Sequence, residues 1–337
     1  MTLVELLVAM TLGLLVTLAA ASALVTSRRG AGTVDAASQL RDNARFATDL
    51  IQRLAVQAGF EDLAVVSAPY AGTEAQYAQI NQIAISDLLP NVYGSNNAVP
   101  ATNDPLNVAT RRPASDAGNG SDVLILQYQA ARASIDPSST SDASDRSMIT
   151  CAGNAPPLAS IGRNDRIFSV LSVGLSQGEP SLMCLTQSTT SGAISTTPLI
   201  MGVESFQVLY GVDNVTPNAA LGPDNAAESV ANRYLRADQL TVPGDQNATY
   251  ANWRRVRSLR IGMVLRGPER SAQSATRQQL FPLGSQYASN LDPGSSYAVT
   301  DARLRQTVIF TVHLRNCQNQ GYQSRAATLA CDASLPS

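Results

Sequence analysis

Residues 1–29 read MTLVELLVAMTLGLLVTLAAASALVTSRR, and a single ionisable side chain, Glu5, interrupts residues 1 to 27. From Leu6 to Val25 the chain is uncharged and mostly apolar. As a helix rising ~1.5 Å per residue, that run is about 30 Å long, close to the hydrocarbon thickness of a bilayer. The pattern predicts one membrane span in this stretch. A cleavable secretory signal fits poorly, because it needs a basic segment first, a shorter apolar core and a small-residue cleavage site. Here no basic residue precedes the run, and a carboxylate stands at its start.

A carboxylate within a span costs about 2.5–3.5 kcal/mol, so Glu5 requires a partner or a proton. The nearest cation along the chain is the α-amino group of Met1, about one helical turn away. A neighbouring helix shifted along the axis suits the geometry better, as in a staggered bundle. Met1-Thr2-Leu3-Val4-Glu5-Leu6-Leu7-Val8-Ala9-Met10 resembles the mature N-terminus of type IV pilins, where Thr-Leu-x-Glu-Leu is the recurring core. The resemblance implies that a prepilin peptidase removes a basic leader ending in Gly, that Met1 is N-methylated, and that Glu5 pairs with the terminal amine of an adjacent subunit. Met1 and Glu5 are thereby the expected assembly residues. Major pilins of the family also carry a Pro late in the span; this sequence has Ser22 nearby and no Pro before Pro69.

Beyond Arg28-Arg29-Gly30, Ala37, Leu40, Ala44, Ala47, Ile51, Leu54 and Ala58 alternate at spacings of three and four, the signature of an amphipathic helix. Asp35, Gln39, Arg41, Asp42, Arg45, Asp49 and Gln52 occupy the other side, and Gly59 stands where a C-terminal cap belongs. Joined to the span, this makes one helix of roughly 58 residues, about 87 Å long, which Gly30 and Gly32 are placed to kink. The seam is Ala-rich and lasts about three heptads, so packing on a sheet of the same chain is favoured over a coiled coil. Ala44-Arg45-Phe46 and Ala58-Gly59-Phe60 resemble the corresponding runs of PilW-type minor pilins. The expected division is 1–26 for the membrane half of the helix, 27–59 for its amphipathic half, and 60–337 for a β-rich periplasmic domain.

Downstream, short β-type runs alternate with Gly, Pro, Ser and Asn. The clearest are Asp122–Gln129, Ile167–Val173, Ser181–Thr186, Val203–Tyr210, Val256–Leu265 and Thr307–Leu314. Val203–Tyr210 and Thr307–Leu314 mix aliphatic and polar residues in the manner of half-buried strands. One long helix followed by antiparallel strands gives an α+β fold, type IV pilin-like by the resemblance. Asn91–Ser121, Ser134–Ser147, Val215–Asn232 and Glu269–Thr300 are expected as long polar loops, facing outward or meeting neighbours. Glu204–Asp213 and Arg303–Gln306 also look like PilW-family segments.

Of 337 residues 44% are apolar, which is ample for a core, and the net charge is −2 with no Lys among the basic residues. That balance leaves no electrostatic footprint for nucleic acid. Four cysteines, Cys151, Cys184, Cys317 and Cys331, allow three pairings. Cys151–Cys184 and Cys317–Cys331 are expected, since sequential pairs close the shortest loops and pilins often clamp their C-terminal region this way. No CxxC spacing and a single His argue against zinc. His313 reads as a buried or half-exposed packing residue of the last strand. With no GxSxG, P-loop or dinucleotide fingerprint, no enzyme and no cofactor are expected. Asp136–Asp145 and Asp213–Asp224 lack the ligand alternation of a calcium loop and read as solvated loops. Trp253-Arg254-Arg255-Val256-Arg257 fits either contact with nucleic acid or an acidic partner, or a strand edge guarded by charge.

The resemblance implies a minor pilin of a type IV pilus that primes or caps the fibre, resident in the inner membrane and then at the fibre tip. Its expected partners are other minor pilins, the major pilin, the assembly platform, prepilin peptidase, membrane lipid and a possible tip adhesin. The alternatives are a minor pseudopilin of a type II secretion system and a tip subunit binding a surface or DNA.

Overall fold

Thr2 starts the long helix α1 (Leu3–Gln57): its hydroxyl accepts the Glu5 N–H at 3.3 Å while the Glu5 carboxylate accepts the Thr2 N–H at 3.2 Å, a reciprocal capping box. The helix has 55 residues, about 83 Å, and runs unbroken through Gly30 and Gly32. It ends where Gly59 takes φ +75°, a conformation that favours glycine, and the Gly59 N–H donates to the Gln127 carbonyl at 2.8 Å. The computed structural model describes residues 2–61, 79–80, 83–84, 89–102, 104–106, 109–113, 116–133, 143–155, 166–187 and 193–315.

The strands are β1 (Gln79–Ile80), β2 (Ile83–Ala84), β3 (Val92–Ser95), β4 (Ala98–Pro100), β5 (Ala109–Arg111), β6 (Val123–Tyr128), β7 (Ile167–Ser176) and β8 (Glu179–Gln187). They continue with β9 (Ile194–Met201), β10 (Val203–Val212), β11 (Arg233–Leu235), β12 (Val256–Arg266), β13 (Thr276–Leu280), β14 (Tyr297–Asp301) and β15 (Arg305–His313). Two antiparallel sheets dominate, one ordered β3-β6-β7-β8-β9 and the other β11-β10-β12-β15. The β7–β8 hairpin turns on Gln177 and Gly178, both at positive φ, as a two-residue loop matching strand twist requires.

One core joins α1 to both large sheets: Leu40, Ala47, Ile51 and Leu54 of α1 meet Leu124, Leu126 and Leu171 of the first sheet and Phe206, Val208, Ile261 and Val312 of the second. Ser121 and Asp122 bridge the sheets. The Phe206 N–H donates to Ser121 Oγ and the Val208 N–H to Asp122 Oδ2, each at 2.9 Å. β10 departs from expectation, since all ten of its residues are buried rather than one face of them. The stretch expected as a loop from Glu269 to Thr300 supplies the second cover. It holds the β13–β14 hairpin, and its middle lies on the outer face of the sheet, where a Cβ on Gly262 would strike the Pro282 carbonyl and one on Gly294 the Gln207 amide. Arg260 stacks 4.9 Å over the Tyr287 ring in the same layer. The expected loop Asn91–Ser121 likewise contains β3, β4 and β5.

Candidate functional site

The helix α1 divides by burial. From Leu3 to Val25 every described side chain is exposed, among them Leu6, Leu7, Val8, Leu12, Leu14, Leu15 and Leu18. Water cannot accommodate that face at this length, and the segment is long and apolar enough to cross a membrane. Ala36 begins the buried stripe, followed by Leu40, Ala44, Ala47, Ile51, Leu54, Ala55 and Ala58. Ala37, expected on this face, is half-buried at its margin, and the preceding alanine takes the central position.

Met1 lies outside the described residues. Glu5 is placed, and its carboxylate has a partner within its own helix in the Thr2 N–H. Thr2-x-x-Glu5 is the spacing of a capping box, a signal that the sequence carries beside the one for an amine partner. In a hydrocarbon environment the bond supplies one hydrogen-bond donor and leaves the charge without a counterion.

The globular part holds its charges in closed networks. Glu204, almost fully buried, accepts from Arg305 Nε at 2.6 Å, from Arg305 Nη2 at 3.2 Å and from the Tyr297 hydroxyl at 3.0 Å. Burial, reinforced by Glu204, pushes the Tyr297 phenol up. Arg305 reaches Asp301, while Arg266 and Arg303 converge on Glu179 at 2.8 and 3.1 Å. Glu179, Arg266 and Arg303 line a cleft of about 230 Å³ against Ala36, Gln39, Leu40 and Asn43 of α1. Burial, with the neighbouring Asp292, also holds the Asp122 carboxyl well above the usual carboxylate range.

Trp253 is completely buried, its ring 4.6 Å from Tyr210 and 4.7 Å from Tyr93. Arg257 and Arg255 face the buried Asp213 at 3.2 and 3.9 Å. Neither a nucleic-acid surface nor a guarded edge therefore describes the Trp253–Arg257 run; it is interior structure whose arginines neutralise an interior aspartate. Asp213 also accepts the backbone N–H groups of Glu228 and Ser229. The loop that follows is pinned by asparagines rather than merely solvated: Asn218 Nδ2 donates to the Asp238 and Thr241 carbonyls, and Asn225 Nδ2 to the Asn214 carbonyl at 2.7 Å. In the other acidic stretch, Asp136 lies outside the described residues and Asp145 accepts the Ser147 N–H. His313 is exposed at the end of β15, not packed.

A disulfide joins Cys151 to Cys184 of β8. It holds the segment that donates the Ile149 N–H to the Gln57 side chain of α1 at 2.9 Å. Cys317 and Cys331 lie outside the described residues.

The family model described as Type IV Pilus-assembly protein W matches residues 170–316, from β7 through β15. No curated protein matches the chain. Among solved structures, a type IV-like pilin from Thermus thermophilus is similar at 12% identity, covering 83% of this chain and 98% of that one with a TM-score of 0.34. An apolar N-terminal helix on antiparallel sheets is the α+β arrangement expected from the sequence.

Proposed function

We propose, taking as premise that residues 170–316 are those of a PilW-type pilin, that this chain is a minor pilin of a type IV pilus. It is held in the inner membrane by residues 1–26 with the rest of the chain in the periplasm, and it enters the fibre to prime or cap it with other minor pilins and the major pilin. The observation that carries this reading is the division of α1, whose first half, Glu5 apart, exposes lipid-compatible side chains while its second half is anchored in the core. Such a helix is stable on its own only in lipid, and outside lipid only among other helices of its kind. In this reading Glu5 serves assembly. Its carboxylate attracts the terminal amine of a neighbouring helix where low dielectric strengthens the pairing, and the Thr2 bond orients it meanwhile. N-methylation of Met1 and processing by a prepilin peptidase belong to the same proposal.

The test is Glu5→Ala and Glu5→Leu in a strain lacking the native copy. Membrane insertion and the circular dichroism of the globular part should stay unchanged, because Glu5 lies about 45 Å of helix from the first buried residue, Ala36. Recovery in sheared fibres and crosslinking to partner pilins should fall at least about tenfold, the equivalent of one lost ion pair in a low dielectric. Assembly at the wild-type level would refute the role given to Glu5.

A further inference from the structure

The cover over β10 and β12 is the loop 281–296, whose ends meet where Leu280 of β13 pairs with Tyr297 of β14. Its first part is fixed by an apolar anchor, Leu283, 2% exposed, and the strand beyond its far end by the Tyr297 hydroxyl, which donates to Glu204. Between those fixings residues 285–296 bury no apolar side chain; the buried residues there are Asp292, Gly294 and Ser295. A cover held by so little apolar contact belongs to the low-stability end of a fold. Gly284, at φ +96°, stands beside the Leu283 anchor as a pivot.

What seats this stretch is polar. Gly294 lies against Gly120, where a Cβ on either would strike the backbone of the other, and Gln207 Nε2 donates to the Gly120 carbonyl at 2.9 Å. Two residues from each glycine stands a buried carboxylate, Asp122 and Asp292. Consecutive residues hold the two: the Asn97 N–H donates to Asp122 Oδ1 at 2.9 Å, and the Asn96 side chain to Asp292. Asp292 Oδ1 also accepts the Gly294 N–H at 3.2 Å. From the short helix Ala237–Leu240 and its cap, Asp238 and Arg236 act on the pair, and Arg236 is already bidentate on Asp238, both contacts at 3.0 Å. The Tyr210 phenol of β10 also faces Asp122, and burial pushes it up. Three carboxylates thus meet one guanidinium where water is largely excluded. Burial raises both carboxyls, reinforced by Asp292 at Asp122 and opposed by Arg236 at Asp292.

We propose that residues 285–296 form a proton-controlled latch: closed on the β10–β12 face while the Asp122–Asp292 pair holds a proton, and lifted from it by mutual repulsion when both carboxylates are ionised. Opening returns Asp292 to water and uncovers Gln207. Because the raised carboxyls belong to the closed state, closure is complete at low pH and is lost as pH rises through their folded values. The latch does not depend on the pilin reading.

The experiment is amide hydrogen exchange of the full chain in detergent, with rates corrected for the intrinsic effect of pH. From about pH 5 to about pH 9 the protection of residues 285–296 should fall at least about tenfold, the change that one proton released on opening gives over a single pH unit, while β7 keeps its own. Asp292→Asn retains an acceptor for the Gly294 N–H without the charge, and should hold the protection of the loop level across the range. Asp122→Asn should do the same from the other side of the contact. Protection of β7 and β12 at low pH checks that each variant is folded. Loop protection indifferent to pH, a fall that persists in either folded variant, or an equal fall in β7 would overturn the latch.

Discussion

Glu204 is a carboxylate with side-chain exposure of 1% whose charge is met by Arg305, itself 2% exposed. Taking two charges out of water is costly, and what offsets it is the bidentate contact with Arg305 and the Tyr297 hydroxyl. Such a pair adds little compared with an apolar replacement, yet losing one member strands the other. Glu204→Gln should therefore destabilise the protein by about 3 kcal/mol, read as a lower urea midpoint at unchanged m-value. Asp301, on the rim of the same network, carries a pH dependence. Hydrogen bonding to Arg305, then the charges of Arg305 and Arg303, hold its carboxyl below the usual range. In the acid range the unfolded chain therefore binds this proton before the folded one does, so the contribution is complete above the ordinary value near 4 and is lost as pH falls through the lower folded value. Asp301→Asn should flatten this part of the acid limb of stability against pH, leaving the neutral plateau lower. Asp122 acts in the opposite sense: its raised pKa gives a contribution present at low pH and lost as pH rises through the folded value.

In α1 the weakest stretch lies between the lipid-compatible half and Ala36. Gly30 and Gly32 each cost about 1 kcal/mol relative to Ala in a helix, and nothing stands within 4 Å of a Cβ added to either. Gly30→Ala/Gly32→Ala should stiffen the segment without a clash, slowing amide exchange over Arg28–Val34 by about tenfold or more. Unchanged exchange would mean that the segment is already held by something other than its own backbone. The helix itself was readable in advance from the three-and-four spacing of Leu40, Ala44, Ala47, Ile51 and Leu54, all of which are buried. Its beginning was not, because Ala36 and Ala37 are identical in size and polarity and only the sheet beneath them distinguishes one from the other. Six strands were legible where Val, Ile, Leu and Phe concentrate. β9, with Ser195, Thr196 and Thr197 exposed, and β13, reading Thr-Arg-Gln-Gln-Leu, had no apolar alternation to reveal them. The full burial of β10 depends on a cover arriving from residues 281–296, a tertiary event that local pattern does not encode.

At the scale of the whole molecule, two sheets and a helix longer than both must be kept in register, and three separate ties do so. Ser121 and Asp122 bind the edge of β10 to β6, the Gly59 N–H binds the end of α1 to Gln127 just ahead of Tyr128, and the Cys151–Cys184 disulfide fastens the segment that reaches Gln57. The third differs in kind because it is covalent, and oxidation is available to it in the proposed periplasmic location. Its ends are 33 residues apart, so loop-closure entropy alone gives a stabilisation of about 3 to 4 kcal/mol. Cys151→Ala/Cys184→Ala should lower the unfolding midpoint by that amount. The bridge also fixes Cys151, whose N–H donates to Ser169 Oγ, two residues along from the Ile149 N–H that reaches α1. Loss of the bridge should therefore be felt at the helix end before the strands. In native-state hydrogen exchange, amides of Leu54–Gln57 should lose protection at denaturant concentrations where β7, β10 and β12 keep theirs. Equal loss across all four would mean that the disulfide stabilises the domain as a whole by restricting the unfolded chain, and that the hold on Gln57 contributes nothing of its own.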